Sequence, residues 1–122
     1  NKIDQSKEIE TILFDIEKRG IPLSKVTLLS PKVLENSVLM EYEPVLTMIK
    51  KGVQYNTIQG FKGLENSIIV LYDFDDISSI RMQRLLYVGI SRATQELYMV
   101  LDKKLEASVI KLVQENYSKT NI

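Results

Sequence analysis

The amino-acid sequence predicts an α/β domain built on a mostly parallel sheet, and three observations carry that expectation. Short apolar runs of strand length alternate with stretches in which apolar residues recur at helical spacing, the pattern of successive β and α elements. The run Asn66-Ser67-Ile68-Ile69-Val70-Leu71-Tyr72 lacks the polar alternation of a half-exposed strand, as expected where helices cover both faces of a sheet. The chain has 122 residues, 44% hydrophobic and 26% charged, which suits one compact domain over residues 1–122 with a core of its own.

The elements follow in order. Ile9, Ile12, Leu13 and Ile16 share one face of a first helix, and Gly20 stands where that helix should end. Ile21-Pro22-Leu23-Ser24 reads as a turn, and Lys25 to Ser30 as a first strand. From Pro31 to Gly52 the pattern suggests short helical pieces carrying Val33, Leu34, Val45, Leu46 and Ile49, interrupted by Pro44 and closed by Gly52. Val53 to Ile58 is a second strand and Asn66 to Tyr72 a third. Asp73 to Ser79 is expected to be a polar, solvated loop. A helix from about Ile80 to Arg92 places Met82, Leu85, Leu86, Gly89 and Ile90 inward, and Leu97 to Leu101 is a fourth, central strand. A closing helix turns Leu105, Val109, Leu112 and Val113 inward before a frayed end. Crossovers between the parallel strands are expected to be right-handed.

Composition removes several functional classes. Sixteen basic and sixteen acidic residues cancel, unlike the basic excess usual in an autonomous nucleic-acid binder. A domain that supplies one side of a shared groove is still compatible with that balance. Cysteine and histidine are absent, so there is no disulfide framework, no thiolate metal site and no imidazole base. No segment approaches a membrane span or a signal peptide, which makes the cytoplasm the default location. The chain opens on Asn1 rather than methionine, so it is expected to be a piece of a longer protein.

Two segments carry candidate chemistry. In Thr57-Ile58-Gln59-Gly60-Phe61-Lys62-Gly63-Leu64-Glu65, glycines permit a tight turn and close backbone approach, while the threonine hydroxyl and free amides can hold phosphate oxygens. The same string also fits an ordinary strand-to-helix turn with a solvated lysine and glutamate. In Arg84-Leu85-Leu86-Tyr87-Val88-Gly89-Ile90-Ser91-Arg92-Ala93, the helix flank shared by Arg81, Arg84, Val88 and Arg92 could face an anion or simply water. The solvated reading is favoured for Arg81 and Arg84. Arg92 is distinguished by its place between a helix and a strand, where side chains of α/β domains meet ligands.

Together, T-I-Q-G-F-K-G-L-E and L-L-Y-V-G-I-S-R-A resemble motifs V and VI of superfamily 1 helicases of the UvrD/Rep type. The K-G-L-E form resembles this branch more than the RNA-helicase relatives, whose loop usually reads Q-G-x-E. The resemblance implies a RecA-like three-layer domain lacking the P-loop, the second half of an ATP-driven DNA motor. It implies that Arg92 is the catalytic arginine that contacts the γ-phosphate. It further implies that Gly63, Glu65 and Lys62 lie at the nucleotide, with Glu65 on the ribose, and that Thr57 and Gln59 contact single-stranded DNA. ATP and Mg²⁺ would be bound mainly by a first, P-loop-bearing RecA-like domain of the same parent chain, which with single-stranded DNA makes up the expected partners. No membrane association is implied.

Departures from the family pattern are visible. Gln59 stands where histidine is frequent, and Asn66 where phenylalanine often follows the glutamate. Ser30-Pro31-Lys32 occupies the neighbourhood of the motif IV arginine, and lysine lacks the bidentate fork of arginine. The large accessory insertion of Rep-like enzymes has no room between the first two strands. No G-x-x-x-x-G-K-[S/T] run is present, so the chain alone is expected not to hydrolyse ATP. Two other readings remain open: a non-catalytic nucleic-acid or partner-binding module derived from a helicase, and an unrelated receiver-like or flavodoxin-like domain centred on Asp73, Asp75 and Asp76. For those aspartates a solvated loop is preferred to a metal site.

Overall fold

The computed structural model describes residues 2–120. Four helices, α1 (Lys2–Lys18), α2 (Glu43–Lys50), α3 (Ile80–Ile90) and α4 (Lys103–Thr120), surround four strands, β1 (Val26–Ser30), β2 (Gln54–Thr57), β3 (Asn66–Leu71) and β4 (Ala93–Met99). The strands form one sheet of order β2-β1-β3-β4, and every pairing is parallel. The expected α/β architecture with a parallel sheet is what the chain adopts.

Alternation along the strands sorts the core into two layers. Val26 and Leu28 of β1, with Ile68 and Val70 of β3, face Ile9, Leu13 and Ile16 of α1 and Val45 and Met48 of α2. Leu29, Ile69 and Leu71 point the other way, where they meet Leu86 of α3, Val109 of α4 and Ile58 and Phe61 of the loop after β2. Every residue of β1 is buried, as befits a central strand covered on both sides. The result is three layers, helices on each face of the sheet.

Helix ends obey local chemistry. At the end of α1, Gly20 adopts φ 79°, Gly20 N–H bonds to Glu17 O and Ile21 N–H to Ile16 O, a Schellman arrangement that satisfies the last carbonyls. Pro44 does not interrupt a helix, contrary to the sequence expectation. It sits in the first turn of α2, where a missing N–H costs nothing because those amides have no intrahelical acceptor. Ser79 caps α3, its hydroxyl accepting from Met82 N–H at 3.1 Å.

The second half departs from expectation at one place that matters for function. Helix α3 stops at Ile90, not Arg92, and β4 begins at Ala93, four residues earlier than Leu97. Strand β4 is also an edge strand rather than a central one. Its early residues Thr94 and Gln95 are exposed and polar, so hydropathy alone hid its start. Glu96 on this strand accepts a paired contact from Arg19 at the end of α1, 3.1 Å on each oxygen, and that guanidinium holds the Glu96 carboxyl below its ordinary pKa. The expected fraying of the last few residues falls partly outside the described residues; α4 runs through Thr120.

Gly89 shows how closely α3 approaches the sheet. An alanine Cβ there would lie 2.6 Å from Leu71 Cδ2 and 3.2 Å from Leu71 Cδ1, and Leu71 is fully buried with little room to move aside. Overpacking costs about 1–3 kcal/mol, against the roughly 1 kcal/mol that alanine gains over glycine within a helix. Gly89→Ala is therefore expected to lower unfolding stability by about 1 kcal/mol on that balance. A urea titration with an unchanged or higher midpoint would show that the contact between α3 and β3 is looser than this.

Candidate nucleotide and strand-contacting site

Register divides the candidate residues between the two edges of the sheet. Thr57 pairs with Ser30 at the carboxyl ends of β2 and β1, whereas Ala93 pairs with Asn66 at the amino ends of β4 and β3. Glu65 and Arg92 immediately precede that second pair. Leu29 pairs with Leu71, so the Thr57–Ser30 level lies six residues beyond Asn66 on β3, and six steps of a parallel strand span roughly 20 Å; the two groups are well separated along the strand direction. Arg92 is thus not at the carboxyl edge where α/β domains usually meet ligands. It stands at the amino edge of an outer strand, and the sequence expectation is corrected on that point.

At the carboxyl edge, the chain leaving β2 turns tightly. Thr57 Oγ1 accepts from Gly60 N–H at 2.9 Å, Asn56 Oδ1 accepts from Thr57 N–H at 2.9 Å, and Phe61 N–H bonds back to Thr57 O. A Cβ on residue 60 would lie 2.5 Å from Asn56 Oδ1 and 2.9 Å from Thr57 Oγ1, so any larger residue would push aside the two side chains that close the turn. A hydroxyl that accepts one bond still has its own hydrogen to donate, which leaves Thr57 able to meet an oxygen from outside. Gln59 is exposed beside it.

The loop then crosses the sheet under α3. Ile58 and Phe61 are buried in the second core layer and anchor it. Lys62 is exposed midway, on a turn closed by its N–H to Gln59 O. Gly63 has φ 81°, a left-handed conformation that disfavours any side chain, and open space surrounds the position a Cβ would take. Leu64 and Glu65 are exposed at the amino edge.

Arg92 meets the loop there. Its NH1 donates to Leu64 O at 3.4 Å, its NH2 to Ser91 Oγ at 2.8 Å, and its Nε is shared between Ser91 Oγ and Val88 O, both at 3.2 Å. The Arg92 backbone O also accepts from Asn66 N–H, tying the two segments together. All of these acceptors are neutral. No ion pair compensates the guanidinium among the described residues, and two of the roughly five N–H groups of an arginine are left over. Arg92 and the Leu64–Glu65 end of the loop are brought together; Thr57 and Gln59 are not with them. Lys62 makes no direct link to either group.

Ser91 and the Leu64 carbonyl are participants that sequence reasoning missed. Ser91 was in view as part of the S-R-A string, but its role depends on where the arginine turns. Arg81 and Arg84 are exposed, as expected of a solvated flank. Asn66, the departure from phenylalanine, ties the edge by donating to Ser24 O at 3.1 Å and Thr27 Oγ1 at 2.9 Å.

The aspartate loop is not the solvated segment expected. Asp73, Phe74 and Ile77 are buried, while Asp75 and Asp76 are exposed. Asp73 accepts from Ser30 Oγ at 2.6 Å and Val38 N–H at 2.9 Å, and its own N–H donates to Gln5 Oε1. Burial and the nearby Asp73 carboxylate push the Tyr72 phenol well above its ordinary pKa. Asp76 is held below the usual carboxylate range by the Ser78 hydroxyl and backbone N–H. Lys32 pairs with Asp75 at 2.6 Å, beside a cavity of about 250 Å³ that Arg81 also lines. Lys32 thus meets a largely exposed carboxylate in the neighbourhood where the motif IV arginine is expected to meet phosphate. Among the described residues, no group of three or more acidic side chains is gathered as a cation site.

The loop from β2, the third strand, α3 and the arginine just before β4 form one continuous unit, and that unit is what resembles a known family. Residues 54–100 match the UvrD-like helicase C-terminal domain. This segment is UvrD-like. A comparison with curated proteins finds no match. The UvrD-like segment contains all six candidate residues, Thr57, Gln59, Lys62, Gly63, Glu65 and Arg92, and it ends one residue beyond β4. The resemblance of the two motifs and the RecA-like arrangement of the parallel sheet therefore agree. Helices α1, α2 and α4 lie outside the match and supply the remaining layers. No described helix is long and apolar enough to cross a membrane.

Proposed function

We propose that this chain is the second motor domain of an ATP-dependent DNA helicase or translocase, and that it completes a nucleotide cleft with a P-loop-bearing domain. The observation that carries the reading is the uncompensated Arg92 guanidinium docked against the Leu64 carbonyl. A charge held by neutral acceptors and retaining free donors suits an arginine that stabilises phosphoryl oxygens in a neighbouring module. Glu65, exposed two residues after Gly63, accepts from a ribose hydroxyl in this reading. When bound, ATP with Mg²⁺ supplies the phosphoryl group whose transfer drives the motor. Thr57 and Gln59, at the opposite edge, hold a single strand by its backbone, which contributes affinity without reading sequence. One loop joins the two edges, so strand and nucleotide act on the same short segment.

The strand contact is tested on the chain itself with a labelled single-stranded oligonucleotide at several salt concentrations. Thr57→Ala combined with Gln59→Ala removes two hydrogen bonds of about 1 kcal/mol each, so affinity is expected to fall roughly tenfold or more. The salt slope should stay the same, because neither side chain is charged and the slope counts cationic contacts to phosphate. Thr57→Ser keeps the hydroxyl and should bind like the parent. A double variant that binds as tightly as the parent would sink the strand assignment.

A further inference from the structure

We propose that Ser91 is a positioning residue for Arg92: its hydroxyl holds the Nε and NH2 edge of the guanidinium and leaves the rest of the group to face outward. The inference rests on the reading of Arg92 as the arginine that reaches a terminal phosphate. Ser91 follows the last residue of α3 with φ −73° and ψ −7°, so the helix backbone sets its direction. The hydroxyl donates to Val88 O at 2.8 Å and accepts from Arg92 NH2 at 2.8 Å and Arg92 Nε at 3.2 Å. A serine hydroxyl has one hydrogen and two lone pairs, and here all three are used. The oxygen is thereby locked in orientation, aimed by a helix carbonyl at one edge of the arginine.

The arrangement has a chemical consequence. Arginine is a long side chain whose rotamer freedom must be surrendered before it can meet a phosphate in a fixed geometry. Ser91 removes much of that freedom in advance, using a neutral acceptor that does not cancel the charge. The Leu64 carbonyl steadies NH1 from the other segment, 28 positions away in sequence. Removing the hydroxyl leaves NH2 without its acceptor, and Nε with Val88 O alone.

Two measurements test this. In the chain alone, the ¹⁵N-resolved Nε–H signal of Arg92 should be observable and slow to exchange with water. It should exchange measurably faster in Ser91→Ala, where Val88 O is the acceptor left to Nε, and stay as slow in Ser91→Thr, with the signals of Arg81 and Arg84 the same in all three. An Arg92 signal equally protected in Ser91→Ala overturns the proposal. In the parent protein with its P-loop domain, Ser91→Ala should lower kcat for ATP about tenfold to a hundredfold, the scale of a misplaced catalytic group. KM should stay within about twofold, because the loss falls on the transition state, and Ser91→Thr should restore kcat. If Arg92→Ala abolishes turnover while Ser91→Ala does not change it, positioning by Ser91 is wrong. If Arg92→Ala leaves turnover intact, the arginine's catalytic assignment fails instead, whatever the exchange measurement reports.

Discussion

Replacing Arg92 with alanine in the intact motor is expected to lower the ATPase kcat by about 10³-fold, the lower end of what an arginine finger contributes to phosphoryl transfer. Thermal stability should hardly change, since the lost bonds run to a serine hydroxyl and to carbonyls at a partly exposed edge. Arg92→Lys should recover little of the rate. An ammonium cannot reproduce the two-point grip on Ser91 while presenting further donors outward. Steady-state kinetics alongside a melting curve separate the two effects. A large fall in stability with a small fall in kcat would mean that Arg92 serves the fold.

The second large effect is expected from Asp73→Ala, in stability rather than ligand binding. Its carboxylate is fully buried and accepts from Ser30 Oγ and Val38 N–H, which join the end of β1 and the segment before α2 to the end of β3. Stranding a buried donor costs about 1–3 kcal/mol, so losing the acceptor of two is expected to destabilise by about 3 kcal/mol. Position 73 also has φ 68°, a conformation that aspartate tolerates better than alanine. Chemical denaturation measures the loss. Melting temperatures of the parent and of Asp73→Ala, each with and without Mg²⁺, test the receiver-like alternative. That alternative requires a Mg²⁺-dependent rise in the parent that the variant abolishes, and no such rise is expected.

Much of the fold was legible because its signals are local. The inward faces of α1 and α3 were written in the spacing of Ile9, Leu13 and Ile16 and of Leu86 and Gly89. The strands β1 and β3 announced themselves as unbroken apolar runs because both their faces are covered. The start of β4 was hidden for the opposite reason. As an edge strand it needs apolar residues on fewer of its surfaces, and its exposed Thr94 and Gln95 resemble a loop. Pro44 misled because proline disrupts a helix interior but suits a helix beginning, and hydropathy does not say which applies.

The candidate site divides in the same way. Residue types and order within the two motifs, together with the family they resemble, nominated Thr57, Gln59, Lys62, Gly63, Glu65 and Arg92. Which of them act together could not be read there. The strand order β2-β1-β3-β4 sends Thr57 to one edge and Arg92 to the other, and this order depends on pairings between distant segments. The burial of Asp73 beneath Ser30 and Val38 is equally non-local, as is the pairing of Lys32 with Asp75. Composition and spacing thus named the parts, and the resemblance of two motifs named the family that the central segment matches. Long-range packing alone decided which side chains became structural supports and which kept an unspent charge at the surface, because hydrogen-bond partners are settled only when remote stretches of chain are brought together.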